Sequence, residues 1–174
     1  MILAHLPAGY IASKLLHKRF AASGVAWKPF LWAGLLGAIA PDLDMLYYLI
    51  DASRHHHAFF THFPVFWFGL LLAAGVWYRL ALDKSLAVLA VIFALNGVIH
   101  LFLDSVAGSI RWLAPFDFQP FAMTTVPRLT GSRRLDYLMH WSSWVELIPI
   151  GWTLWLWRSK WRPASTDTNN APRY

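Results

Sequence analysis

The sequence predicts an all-α fold, a multi-pass transmembrane bundle of four or five helices. Three observations carry this. The 174 residues are 57% hydrophobic and only 14% charged, where a soluble domain carries about 25% charged residues. Several runs lack charge over nearly the length that a hydrocarbon core of about 30 Å demands. Lysine and arginine also fall unevenly on the two sides that these runs define.

Taken in order, residues 2–20 form a short, weaker apolar stretch that spans with tilt or lies at the interface. It opens with His5 and has no basic start, so it does not read as a cleavable signal peptide. Residues 29–50 are apolar apart from Asp42 and Asp44, and the next helix, at 62–79, is uncharged over 63–78. The firmest span lies at 85–105, with no charged residue over 85–103. The last, at 139–158, is interrupted within 141–157 by Glu146 alone. The eleven tryptophans serve largely as interface anchors. Residues 1–160 therefore read as one membrane-embedded domain, and the polar residues 161–174 as a disordered tail. Residues 105–134, with scattered prolines and aromatics, read as a long loop whose length marks it as functional, a lid or substrate wall.

These helices sort the charges. Lys14, Lys18, Arg19, Lys28, Arg79, Lys84, Arg158, Lys160, Arg162 and Arg173 fall on one side, against Arg54, Arg111, Arg128, Arg133 and Arg134 on the other. The first side is therefore expected to be cytoplasmic. All histidines but His17, and all acids but Asp83 and Asp167, fall on the opposite side. Ionisable groups are expensive in apolar segments, about 2.5 to 3.5 kcal/mol for an Asp at a helix centre. Their gathering at one face calls for a compensating partner, and a divalent metal is the natural one. The net charge of +6 does not indicate nucleic acid, because the basic residues form no stripe with interleaved aromatics. With no cysteine, disulfides, thiolate metal sites and cysteine nucleophiles are excluded. A metal here needs nitrogen and oxygen ligands, a set that suits Zn2+ best, in two or three ions, with Mn2+ or Fe2+ as weaker fits.

His100 and Asp104 are the sharpest ligand pair, since i, i+4 spacing puts both on one helical face. His57 and His62, five apart, cannot share a face of one helix. With Thr61 as N-cap of the next helix and Pro64 in its first turn, His57 reaches in from the loop and His62 from the helix start. His55 reads as part of a solvated loop. Pro41-Asp42-Leu43-Asp44 breaks its helix, so that one Asp bridges metal while the other orients a ligand histidine; spacing leaves open which does which. His5, His140 and Glu146 complete the ligand list, Glu146 as ligand or general base. Asp42, Asp44 and Glu146 are the candidate catalytic groups.

His5, Pro41-Asp42-Leu43-Asp44, His57-Ala58-Phe59-Phe60-Thr61-His62 and His100 to Asp104, followed by Gly108 and Trp112-Leu113-Ala114-Pro115, resemble in this order the YdjM family. Its members are described as LexA-binding, inner membrane-associated, metal-dependent hydrolases. The resemblance covers about residues 1–150. It departs from the family at Ala58-Phe59, where Arg-Gly is usual, and Arg54 and Arg111 are the neighbouring substitutes. The family is in turn distantly similar to the zinc-dependent phospholipase C and single-strand nuclease group, which implies a multi-zinc phosphoesterase.

The expectation is thus a multi-pass protein of the bacterial inner (plasma) membrane, with its metal site facing the periplasm. It would hydrolyse a lipid or lipid-linked phosphate ester, its partners being the bilayer and that substrate. The alternatives are a metal-ion transporter, which would need ligands through the membrane depth, and a non-catalytic regulatory protein, as the LexA-binding description implies.

Overall fold

The computed structural model describes residues 3–48, 57 and 59–159. The expected tail at 161–174, with Arg54, His55, His56 and Ala58, lies outside the described residues. The fold is all-helical, with no strand among the described residues. The α-helices are α1 (His5–Leu16), α2 (Trp27–Ile39), α3 (Asp44–Tyr48), α4 (Pro64–Leu80), α5 (Ser85–Asp104), α6 (Arg133–Met139), α7 (Trp141–Val145) and α8 (Leu147–Arg158). Short 3-10 segments occupy His17–Ser23, Pro41–Leu43 and Phe60–His62.

Helix α5 is the axis. It packs against α2 and α4 most extensively and against α1 less so, while α8 lies along α1. Its start is fixed by the Asp83 carboxylate, which accepts the Ser85 N–H at 2.9 Å, one of the donors a helix N-terminus leaves unpaired. At that end Val25, Phe30, Val88 and Ile92 form a buried cluster. Toward the other end Trp67, Val98 and Leu101 form a second.

Two glycines set how closely the helices meet. A β-carbon on Gly37 of α2 would stand 2.1 Å from the Phe93 carbonyl oxygen, and one on Gly97 of α5 would stand 2.0 Å from the Trp67 ring. Small residues at such crossings let backbones approach, the packing mode that bundles in lipid rely on. Trp67, held flat on Gly97, also donates its indole N–H to the Thr61 carbonyl at 2.6 Å. The turn that carries His62 is thereby fixed to α5.

The element boundaries depart from the expected helices. The first expected helix, 2–20, stops being α-helical at Leu16 and continues as the 3-10 segment His17–Ser23, where the His17 ring donates to the Val25 carbonyl at 3.0 Å. The expected 29–50 helix bends by 55° at Pro41. The 139–158 helix is divided at Glu146 into α7 and α8, with His140 capping α7. Thr61 is not the N-cap of α4; Phe63 occupies that position and Pro64 opens the helix. The physical reason is that Thr61 sits inside the 3-10 turn Phe60–His62, two residues ahead of the cap position, with its hydroxyl donating to the Asp44 carboxylate at 3.0 Å. By length and composition, among the described residues, α5 is long and apolar enough to cross a membrane and the bent pair Trp27–Ile39 with Pro41–Tyr47 makes a second; α4 is apolar but shorter. Residues 105–132 carry no α-helix and are pinned by one bridge between Ile110 and Phe121.

Gly37→Ala forces a methyl against α5 backbone that cannot swing away, and is expected to destabilise the bundle by about 1 to 3 kcal/mol. Gly69→Ala and Gly151→Ala, with open space around both positions, should leave it unchanged. Thermal unfolding of the detergent-purified variants checks this, and equal midpoints would contradict the packing described.

Candidate metal centre

The centre assembles where α5 ends. Residues 96, 100 and 104 lie on one face of that helix, so His100 and Asp104 meet one turn apart, with Nε2 and Oδ2 separated by 3.1 Å. Asp104 is buried, and further imidazoles reach it from other elements. His5, the first residue of α1, places Nε2 at 3.1 Å from Oδ1. His57 and His62 place theirs at 3.5 and 3.7 Å from Oδ2. The His5 and His100 rings stack with centroids 3.8 Å apart.

Asp42 enters from the break after α2, its Oδ1 lying 3.7 Å from His62 Nε2 and 3.6 Å from His100 Nε2. Asp42, His62, His100 and Asp104 each offer one ligand atom, all within 4.8 Å of one another, and so form a group that could hold a metal ion. His62, His100 and Asp104 are buried, whereas the Asp42 side chain is 33% exposed. The group therefore opens to the outside on the Asp42 side.

The ring nitrogens that face away settle which tautomers are present. His100 Nδ1–H donates to the Ala38 carbonyl at 2.7 Å, and His62 Nδ1–H donates to Asp44 Oδ2 at 2.7 Å. Both neutral rings then aim an Nε2 lone pair at the centre, the arrangement in which histidines ligate metals with a carbonyl or carboxylate behind them. His5 Nε2 and His100 Nε2 are buried and make no hydrogen bond, although carboxylate oxygens lie 3.1 Å from each. With its Nδ1 hydrogen on Ala38, a neutral His100 turns an Nε2 lone pair toward Asp104 at 3.1 Å, an arrangement that a bound cation relieves, so the donor set fits a divalent metal of the zinc type. The electrostatics agree. His62 Nε2 faces the Asp42 and Asp104 carboxylates at 3.7 Å each, negative charge that a divalent cation would offset.

The structure thus brings together His5, Asp42, Asp44, His57, His62, His100 and Asp104. Asp42 faces the group, and Asp44 stands behind His62, where it also accepts from Thr61. Glu146 and His140 have other partners. Glu146 is buried at the junction of α7 and α8, where Oε2 accepts the Leu3 N–H and, at 3.1 Å, the Ala4 N–H, while Oε1 accepts from the Tyr137 hydroxyl. A carboxylate there satisfies donors at the start of α1 and favours the positive end of its dipole. It steadies the turn that delivers His5. His140 Nδ1 accepts from the Ser142 hydroxyl at 2.8 Å and the Ser142 N–H at 3.4 Å, capping α7. The Ala38 carbonyl behind His100 has no side-chain signature by which sequence could reveal it. Gly108 does: its N–H donates to the Asp104 carbonyl at 2.6 Å, and a β-carbon there would meet the His57 ring at 2.7 Å. Only glycine lets the loop after α5 close over the centre.

A family model described as YdjM inner membrane protein matches residues 1–162, and the chain belongs to that family. No curated protein and no solved structure matches it.

Metal analysis of the purified protein should find tightly bound divalent metal that His100→Ala and Asp104→Ala abolish. Asp44→Asn, which leaves the ligand atoms in place but weakens the hold on His62, should lower metal affinity by about 10- to 100-fold. Metal content that survives His100→Ala would remove the centre.

Proposed function

We propose that this member of the YdjM family is a multi-pass, metal-dependent membrane hydrolase whose substrate is a phosphate ester of a lipid or lipid-linked molecule. The observation that carries this reading is the convergence of buried His62 and His100 lone pairs with the Asp42 and Asp104 carboxylates around a point open on one side only. Catalytic metal sites keep a position for water or substrate beside their protein ligands, and the exposed Asp42 is the member of this group that leaves room for one. The ligands also gather at one end of α5 rather than along its length, which favours a hydrolase over a transport pathway.

Zinc in this set supplies Lewis acidity, lowering the pKa of water toward about 7 and neutralising charge on a phosphoryl oxygen. The chain's own groups do the rest. Ala38 and Asp44 hold the two imidazoles in register, and Asp104 fixes the depth of the site. Asp42, the exposed member, stands where it can take the proton of an attacking water. Glu146 and Tyr137 keep His5 in place from behind.

The multi-pass arrangement rests on α5, the bent pair at Pro41 and the outward-facing apolar side chains of the shorter helices. Trp32 and Leu36 of α2, Leu72 and Val76 of α4 and Trp155 and Trp157 of α8 are all exposed, and a bilayer is the environment that such a surface fits. The excess of Lys and Arg at the opposite end favours the extracytoplasmic face for the centre.

Alanine variants of Asp42, His100 and Asp104 are expected to lose bound zinc and hydrolysis of a phosphodiester such as bis(p-nitrophenyl) phosphate together, each by more than about a hundredfold. Full activity in the His100 variant, or a metal-loaded wild type inert toward mono- and diesters, would sink the reading.

A further inference from the structure

Two cavities beside the centre differ in character and share a wall. The first, about 310 Å³, lies under the loop after α5 and is lined by Ser109, Thr124, Thr125, Arg128, Arg133 and Tyr137 among others. The second, about 590 Å³, is an apolar groove formed by Leu3, Leu138, Trp144 and Leu147, with Arg133 and Arg134 at its rim. Arg133 and Tyr137 line both.

The charge in the first cavity is positive. Its one carboxylate, Asp136, is spoken for: Oδ1 accepts the Thr130 hydroxyl and N–H at 2.8 Å each, and the Leu129 N–H at 3.2 Å. Arg128 lies near enough to Asp136 to help hold its carboxyl below the usual range, and Arg133 faces both cavities. A guanidinium pair above three hydroxyls is suited to a phosphate, which arginine binds with two parallel hydrogen bonds. The adjoining groove presents mostly hydrocarbon beside it. Both cavities are tied to the centre through short links. Tyr137 holds Glu146, which holds the residues preceding His5. On the other side, Ala107 and Ser109 flank the glycine that closes over His57.

We propose that the two cavities form one binding site for an anionic phospholipid, with its phosphate between Arg128 and Arg133 and an acyl chain along Leu138, Trp144 and Leu147. Neither cavity is lined by a ligand of the centre, so the lipid held here is a companion to the active site of the hydrolase reading, on which this proposal rests for its setting, and not the molecule cleaved there. An amphiphile lying across Arg133 would present its headgroup linkage beside the loop that covers the centre.

Native mass spectrometry of the detergent-purified protein tests this, with dilauroyl phosphatidic acid, dilauroyl phosphatidylcholine and inorganic phosphate as separate probes. The wild type should retain one phosphatidic acid in preference to either other probe. The Arg128→Gln, Arg133→Gln double variant, with metal content unchanged as proof of folding, should need roughly tenfold more of it. Leu138→Asp should weaken phosphatidic acid and leave inorganic phosphate unaffected. The site is overturned if the double variant retains phosphatidic acid as well as wild type does, or if phosphatidylcholine binds equally. It is also overturned as a lipid site if inorganic phosphate competes as strongly as the lipid. Retention without any phosphoesterase turnover keeps this site and removes the hydrolase reading. Phosphodiesterase turnover by a wild type that retains no phosphatidic acid removes this site alone.

Discussion

The buried Asp104 carboxylate is the constraint on which the rest of the structure depends. An ionised carboxylate away from water costs several kcal/mol unless partners compensate it, and here four histidines come from three stretches of the chain. His5 arrives on α1, His57 and His62 from the stretch before α4, and His100 from the same helix one turn earlier. None of these elements can shift along its neighbour without withdrawing an imidazole from that charge. The close crossings at Gly37 and Gly97 serve the same end, since they set the depth at which α2 and α4 deliver Asp42 and His62 to the end of α5.

What was legible in the sequence is what depends on spacing within one element. The i, i+4 relation of His100 and Asp104 survives because a single helix carries both. Pro41 breaks its helix because any proline with that pattern would. The roles of Asp42 and Asp44 were not legible, because they are two residues apart and differ only in which partner from another segment each meets. Thr61 shows the same limit from the other direction. As a residue type it suits an N-cap, but it lies in the turn Phe60–His62, held there by a carboxylate from 17 residues earlier and by the Trp67 indole on its carbonyl, and tertiary context overrides the local preference.

Glu146 is the most instructive case. A lone acid in an apolar run announces that it has a partner, and sequence reading looks for that partner among other side chains. The partners include backbone N–H groups at the far end of the chain, 142 and 143 residues away, which have no sequence signature at all. The helix boundaries follow a similar logic. The expected 139–158 helix is divided at Glu146, so α8 is shorter than a simple hydropathy reading gives it. The long loop, by contrast, was legible as something more than a connection. Its Gly108 packs on His57 where no side chain would fit, and its later residues bring Arg128 to a cavity next to the centre.

The charge balance of the centre argues for a divalent cation over a network of protonated histidines. Crowded carboxylates around His62 favour a proton on that ring, yet Asp44 already accepts the proton at Nδ1. A second proton on Nε2 would serve at most one or two oxygens, and His100 Nε2, turned inward by the Ala38 carbonyl, would need a cation of its own opposite Asp104. A proton joins two atoms. A divalent cation joins four, and the four that converge here, two carboxylate oxygens and two imidazole nitrogens, lie within 4.8 Å of one another. Each of the two histidines is backed by an acceptor that fixes its tautomer, which a hydrogen-bonded cluster would not need and a ligand set does.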